Sequence, residues 1–193
     1  MKRRNSAPLQ QLSRNQQSAG SPLLDNLHGL YKQGRFKEGL ALAEEAGPKL
    51  NKSADLLDVA GMCAFACDAA QQAETYWQQA LALKPNDANT HFRLAELFEK
   101  KKRFAEAEAG YRKATTLKPQ FAEAHFKLGE MLNRLNRLDE AEASFRHSIT
   151  LKPVYDQAEL SLSILLIGRW RFREGFSRLW QVLNKRRKMA KEN

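Results

Sequence analysis

Two cysteines and four histidines are the side chains of this sequence best suited to binding a transition metal ion. Cys63 and Cys67 have an i, i+4 spacing, which suits one face of a helix better than a disulfide bond. No histidine lies at ligand spacing beside them, and a structural zinc site needs four ligands. The pair therefore predicts two small, buried or half-buried thiols in a reducing cytoplasm.

The histidines and carboxylates show no catalytic pattern. His91 and His125 occupy equivalent positions of a longer repeating pattern, so they are expected to be packing residues. The sequence has no glycine-rich phosphate loop, nucleophile elbow or pair of catalytic carboxylates. Acidic pairs such as Glu106 with Glu108 are expected at helix starts, where the helix dipole favours negative charge. The sequence predicts a protein that is not an enzyme and that uses no cofactor and no metal.

Positive charge is concentrated at the two ends of the chain. The net charge is +10, of which residues 1–19 carry +4, residues 185–193 carry +4 and the body carries +2. Such ends could bind an anionic polymer or a membrane surface. Alternatively, the first segment is a polar, disordered leader and the last is a cationic helix end that the helix dipole favours.

Composition and hydropathy indicate a protein without a membrane-spanning segment. Apolar residues make up 42% of the chain and charged residues 28%, which argues against wholesale disorder. Apolar runs such as Ile164 to Ile167 are far shorter than the roughly 20 residues that cross a bilayer. The basic start of the chain is followed by polar residues where a secretory signal would be apolar, so a cytoplasmic location is expected.

An internal sequence repeat organises the chain. The tripeptide Leu-Lys-Pro occurs at residues 83–85, 117–119 and 151–153. The same register holds a column of alanines and a column of large aromatic residues, which are Ala73, Ala107 and Ala141, and Trp77, Tyr111 and Phe145. Five repeats result, starting at residues 20, 54, 88, 122 and 156. Apolar residues within each repeat follow a helical period, and the prolines are expected to end every second helix.

These repeats resemble the tetratricopeptide repeat (TPR), a helix–turn–helix of about 34 residues. In the third repeat the matching residues are His91, Leu94, Ala95, Phe98, Ala107, Tyr111, Ala114 and Pro119. In the fourth they are His125, Leu128, Gly129, Leu132, Ala141, Phe145, Ser148 and Pro153. The resemblance implies an all-α fold, a right-handed superhelical solenoid of about five repeats over residues 20–184. Residues 1–19 would form a basic tail, and residues 185–193 a basic tail or helix extension.

The resemblance also implies a concave groove, lined by the first helix of each repeat, that holds a peptide segment of a partner. Phe92 and Phe126 would form its floor, flanked by the cations Arg93, Lys127 and Arg134, which suits a partner of acidic character. The full set of groove positions is Met62, Phe65, Asn89, Phe92, Arg93, Glu96, Phe126, Lys127, Glu130, Asn133 and Arg134. The alternative is that both phenylalanines are helix-pair core and the charges form a solvated face. The leading hypothesis is a protein-binding scaffold or adaptor.

Two further hypotheses come from the end of the chain. The first helix of the last repeat is apolar nearly all round, so it is either covered by the basic second helix or used in self-association. The self-association positions are Leu160, Leu162, Ile164 and Trp170. Residues 168–176 look like the final repeat of bacterial TPR glycosyltransferases and sulfotransferases, which favours an accessory role beside such an enzyme. The carboxylate clamp of chaperone co-factors is not reproduced, because its asparagine column reads Met62, Glu96 and Glu130.

Overall fold

A computed structural model describes residues 22–192, with backbone alone for residues 185–192. The predicted N-terminal tail, residues 1–19, lies outside the described residues. Every regular element in the described part of the chain is a helix, so the prediction of an all-α repeat fold is confirmed.

Within residues 22–192, ten α-helices follow one another as antiparallel pairs. They are α1 (Pro22–Lys32), α2 (Phe36–Ala46), α3 (Ala54–Ala66), α4 (Ala70–Leu83), α5 (Ala88–Lys100), α6 (Phe104–Leu117), α7 (Ala122–Arg134), α8 (Leu138–Leu151), α9 (Asp156–Gly168) and α10 (Phe172–Glu192). A 3-10 helix, Gly47–Lys52, connects α2 to α3. The starts of α3, α5, α7 and α9 are evenly spaced by the length of one repeat, and so are those of α4, α6, α8 and α10.

The turn inside every helix pair has the same backbone conformation. One residue of each turn adopts a left-handed φ of 58–73°, and these residues are Gly34, Asp68, Lys102, Asn136 and Trp170. The next residue donates its backbone N–H back into the preceding helix, as Arg103 does to the Phe98 carbonyl at 2.8 Å. This is the hydrogen bond that satisfies orphan carbonyls at a helix C-terminus. The repeats therefore share the backbone of the turn although its residue type varies.

Two histidines fix the turns between repeats. His91 Nε2 is 2.8 Å from the Pro85 carbonyl oxygen, and His125 Nε2 is 3.0 Å from the Pro119 carbonyl oxygen. Each ring nitrogen donates to a carbonyl that the proline turn leaves without a helical partner. Both histidines are half-buried and hydrogen-bonded to the backbone, and their packing role stays a prediction.

The chain divides into two compact units, Met1–Leu83 and Lys84–Asn193, which we call the N-terminal and C-terminal units. In the N-terminal unit, Leu57 and Trp77 are completely buried, and the Trp77 indole N–H donates to the Asp58 carbonyl at 3.2 Å. Cys63 is also buried there, Cys67 is half-buried, and both thiols are free. Burial, and then the neighbouring Cys67, raises the pKa of the Cys63 thiol to about 11, which favours the protonated thiol over the nucleophilic thiolate at neutral pH.

The C-terminal unit has its own core, built from α5 to α9. Tyr111 and Phe145 are completely buried in it, and a methyl group on Gly129 would come within 2.7 Å of the Phe145 ring. The close approach of α7 to α8 therefore requires glycine at position 129.

The last helix, α10, packs on α9 through a second glycine. A methyl group on Gly175 would lie 2.6 Å from Ile167 Cγ1 and 3.0 Å from the Ser163 carbonyl oxygen. The second helix of the last repeat thus covers one side of the first, which is one of the two arrangements expected from the sequence.

Candidate functional site

The first helices of the C-terminal unit bring charged side chains together. Lys127 Nζ, on α7, lies 3.4 Å from Glu99 Oε2 on α5 and 3.0 Å from Glu130 Oε2 on its own helix. The Tyr111 hydroxyl, from α6, donates to Glu99 Oε2 at 2.9 Å. Lys127 is therefore a bridge between two carboxylates of neighbouring repeats.

Glu96 has the most perturbed carboxyl group of this surface. Burial, and then the negative charges of Glu123 and Glu99, raise its pKa to about 7, while Lys127 and Arg93 act in the opposite direction. The local cations only partly offset the desolvation of this carboxylate. Near neutral pH the protonated and the charged forms of the Glu96 carboxyl are therefore both populated.

A cavity of about 400 Å³ lies beside this charged cluster, between α7 and α9. Phe126, Tyr155 and Leu160 supply its apolar wall. Its polar wall is formed by Glu123, Lys127, Glu130, Gln157 and Ser161. We call the combined surface the acidic groove, defined by Glu96, Glu99, Glu123, Phe126, Lys127, Glu130, Tyr155 and Leu160.

The two phenylalanines predicted as the groove floor are buried aromatic packing residues. The Phe92 ring centroid is 4.9 Å from that of Phe121, and the Phe126 centroid is 5.1 Å from that of Tyr155. Both also contact the aromatic residue of the following helix, Tyr111 or Phe145. Their burial is what the helix-core alternative describes, although Phe126 also lines the cavity.

The remaining predicted groove residues are more dispersed. Asn89 lies near the start of α5, and Asn133 and Arg134 lie at the end of α7. The Arg134 guanidinium is 5.3 Å from the Phe104 ring centroid. Met62 and Phe65 lie on α3 in the N-terminal unit, so the site described here is confined to the C-terminal unit.

The charge of the groove differs from the sequence expectation. The sequence predicts an acidic partner because the cations Arg93, Lys127 and Arg134 are expected to face the ligand. In the structure Lys127 is ion-paired with two carboxylates and Arg134 lies over an aromatic ring. Four carboxylates, Glu96, Glu99, Glu123 and Glu130, interact with the two cations Arg93 and Lys127. Among the eight residues that define the groove, carboxylates therefore outnumber cations by four to one.

Sequence reasoning missed Glu99 and Tyr155. Phe121 and Tyr155 occupy the same position in successive repeats, and each packs on the phenylalanine of the preceding first helix. A cation also lies over each ring, with Lys118 and Lys152 both 4.6 Å from the centroid. The signal in the sequence is the aromatic residue that recurs just before the first helix of successive repeats, at positions 121 and 155.

The predicted self-association residues fall into two groups. Leu162 is completely buried and Leu160 lines the cavity, whereas Ile164 and Trp170 are exposed. Leu162 alone of the four is too buried to contribute to a surface, and self-association stays a prediction.

The described residues contain no group of three or more histidine, cysteine, aspartate or glutamate side chains that could hold a metal ion. Among the helices of the same residues, none has the length and apolar character needed to cross a membrane. The cytoplasmic location stays a prediction.

Comparison with known proteins identifies the repeat. Two sequence models described as tetratricopeptide repeat match residues 70–120 and residues 122–155. No curated protein sequence matches the chain. A crystal structure of MamA superposes with a TM-score of 0.78 at 18% identity and covers 84% of this chain and 95% of that chain. MamA from residue 41 to its end, from Desulfovibrio magneticus RS-1, also gives 0.78 at 18% identity, with coverages of 88% and 98%. At this identity the likeness shows the fold alone, and it agrees with the predicted repeat.

Proposed function

Because the chain belongs to the tetratricopeptide repeat family, we propose that it is a non-catalytic scaffold whose acidic groove holds a segment of another protein. Proteins of this family generally bind other proteins, which supports the class of function. The groove residues support a more specific proposal about the chemistry of the partner.

The observation that carries this proposal is the excess of carboxylates, of which Glu96, Glu99 and Glu130 are half-buried and Glu123 is exposed. Lys127 pairs with Glu99 and Glu130, but the charge of Glu123 still raises the pKa of Glu96. A lysine or arginine of a partner, placed between Glu96 and Glu123, would stabilise both carboxylates and displace the proton from Glu96. The groove therefore favours a basic side chain in the bound segment.

The cavity beside the carboxylates supplies the second recognition element. Its volume of about 400 Å³ and its wall of Phe126, Tyr155 and Leu160 suit one large apolar side chain. A segment that carries an apolar anchor close to a lysine or arginine fits both features. Burial of the anchor gives affinity, and the carboxylates give specificity.

The test compares partner capture by three forms of the full chain. Wild type, Glu96→Gln with Glu123→Gln, and the control Glu140→Gln are each used to capture proteins from the native cell, followed by mass spectrometry. Glu140 is exposed on α8 and pairs with Arg137 at 2.6 Å, outside the groove. We expect the double variant to lose a partner that wild type and control retain.

The captured segment, made as a peptide, then gives the affinity. The double variant should bind it at least about tenfold more weakly, which corresponds to about 1.4 kcal/mol. Replacing the basic residue of that peptide by glutamine should cause a similar loss. If the double variant retains every partner with unchanged affinity, the groove is not the binding site.

A further inference from the structure

The last helix exposes a row of large apolar side chains on the side that does not pack on α9. The exposed fractions are 43% for Phe172, 55% for Phe176, 63% for Trp180 and 52% for Leu183. Successive members of the row are three or four positions apart, which places these side chains on one helix face. We call Phe172, Phe176, Trp180 and Leu183, together with Trp170, the aromatic stripe.

The stripe is not part of the core of the C-terminal unit. Gly175 and Val182 occupy the packed face of α10 and are buried. Arg178, at the border of that face, pairs with Glu159 of α9 at 3.1 Å. The helix is thus held by its other face, and the stripe is free to contact another surface.

Trp170 extends the stripe into the turn before α10. Its side chain is 83% exposed, and its φ of 64° lies in the left-handed region that favours glycine. Its ring centroid is 5.7 Å from that of Phe172, which is 6.3 Å from that of Phe176. The left-handed backbone is common to all five hairpin turns, so the exposed indole, and not the conformation, distinguishes Trp170 from its counterparts.

Positive charge accompanies the stripe along the helix. Arg173 is exposed, and the helix backbone continues to Glu192 through Lys185, Arg186, Arg187, Lys188 and Lys191. The acidic residues of α10 are Glu174 and Glu192, and Glu174 is already paired with Arg146 at 2.6 Å and Arg171 at 2.5 Å. The helix therefore combines an exposed apolar row with a strongly cationic sequence.

We propose that α10 binds the surface of an anionic lipid membrane through the aromatic stripe. Tryptophan and phenylalanine side chains partition into the interfacial region of a bilayer, and a helix with an aromatic face and many lysines and arginines lies along it. A cluster of cations on such a helix is attracted to anionic headgroups. A symmetric contact with a second copy would instead bring the same cationic helix against itself, which its charge opposes.

The experiment uses the full chain and two kinds of vesicle. One is phosphatidylcholine alone, and in the other about a third of the lipid is phosphatidylglycerol, which gives the surface a negative potential. Trp170 and Trp180 are exposed whereas Trp77 is buried in the N-terminal unit, so a change in tryptophan emission reports on the stripe. We expect a blue shift and co-sedimentation with the anionic vesicles, both weakened by high salt.

Matched double variants locate the contact. Phe176→Ser with Leu183→Ser removes two exposed stripe residues and keeps both reporter tryptophans. Leu83→Ser with Val154→Ser removes two comparably exposed apolar residues elsewhere. The stripe variant should bind anionic vesicles at least about tenfold more weakly, and the control should stay within about twofold of wild type. Unchanged far-UV circular dichroism would show that the variants are folded.

Three results would overturn the proposal. The first is equal binding of wild type to both kinds of vesicle, and the second is undiminished binding by the stripe variant. The third is that wild type is an oligomer that binds no vesicles, while the stripe variant is a monomer. In the last case the stripe is an interface between copies. The groove variant Glu96→Gln with Glu123→Gln should bind vesicles as wild type does, so the membrane contact and the peptide groove fail independently.

Discussion

One backbone position in every hairpin turn carries strain that the residue type can relieve. Lys102 has a φ of 59°, which costs a residue with a Cβ about 1 kcal/mol relative to glycine. Relief of this strain in Lys102→Gly should raise the free energy of unfolding by about 0.5–1 kcal/mol. The entropy that glycine adds to the unfolded chain offsets part of that gain. Urea denaturation of the two proteins measures the difference.

The neighbouring lysine provides the control for this prediction. Lys101 caps the C-terminus of α5 with an ordinary φ of −79°, so Lys101→Gly should lower stability by up to about 1 kcal/mol. If both glycines lower it equally, the left-handed turn is not strained.

The raised pKa of Glu96 makes a second prediction at the residue scale. The folded protein binds the proton with a pKa of about 7, against about 4.5 for an ordinary glutamate. Between these values the folded state holds more protons than the unfolded chain, so this group makes stability fall as pH rises and has its full cost above about pH 7. Glu96→Gln removes the charge and should gain about 1–3 kcal/mol relative to wild type between about pH 4.5 and pH 8.

Denaturation at several pH values checks this gain. The charged groups that face Glu96 are Glu99 and Arg93 on α5 and Glu123 and Lys127 on α7. Glu140→Gln is again the control, because Arg137 lowers the pKa of that exposed carboxyl and no such gain is expected. A constant difference between Glu96→Gln and wild type at all pH values would contradict the assignment.

At the scale of helices, one carboxylate of α8 fixes the turn that precedes α10. Glu142 is buried and accepts hydrogen bonds from Arg171 at 2.6 Å, Arg169 at 3.2 Å and Arg146. Glu142→Ala would leave these guanidinium groups with fewer partners and should cost about 2–3 kcal/mol. Hydrogen exchange should show the largest loss of protection in α10.

An exposed ion pair of the same type provides the comparison. Glu106 pairs with Arg103 at 2.5 Å, one helical turn away on the surface, so Glu106→Ala should cost less than about 1 kcal/mol. Equal losses in the two variants would mean that Glu142 does not hold α10.

The sequence predicts the helices well because their positions follow a strict period. Leu-Lys-Pro and the alanine and aromatic columns recur with the period of the repeat, and the helix starts recur with them. The charge of the groove escaped the same reasoning because an ion pair between neighbouring repeats joins two different columns, which a search for recurring residue types does not connect. Lys127 and Glu99 are closer in sequence than one full repeat, and so are Arg112 and Glu140.

The sequence left two alternatives for the floor residues, an exposed groove floor or helix-pair core, for a geometric reason. Phe92 and Phe126 lie on helix faces that are covered by the residue just before the first helix of the following repeat. That residue is Phe121 for Phe92 and Tyr155 for Phe126. A helical period places a side chain on a face, but it does not say what a following turn lays over that face. The exposed stripe of α10 was hidden in the same way, since the sequence does not show which side packs on α9.

At the scale of the whole molecule, the two compact units should unfold in separate transitions. Each has its own buried cluster, with Leu57 in that of the N-terminal unit and Phe145 in that of the C-terminal unit. In a Trp170→Phe, Trp180→Phe background the fluorescence comes from Trp77 alone and reports on the N-terminal unit, whereas circular dichroism reports on both. We expect two transitions by circular dichroism in urea and one by fluorescence.

Core truncations distinguish the two transitions. Phe145→Ala should destabilise the C-terminal unit by about 3–5 kcal/mol and leave the Trp77 transition in place, while Leu57→Ala should shift the Trp77 transition by about 2–5 kcal/mol. A single transition that both truncations shift equally would show that the chain unfolds as one cooperative body.

With separate transitions, a peptide in the acidic groove should stabilise the C-terminal unit alone, because a ligand stabilises only the structure that it binds. The Trp77 transition then serves as an internal reference when peptide binding is measured by the shift of the other transition.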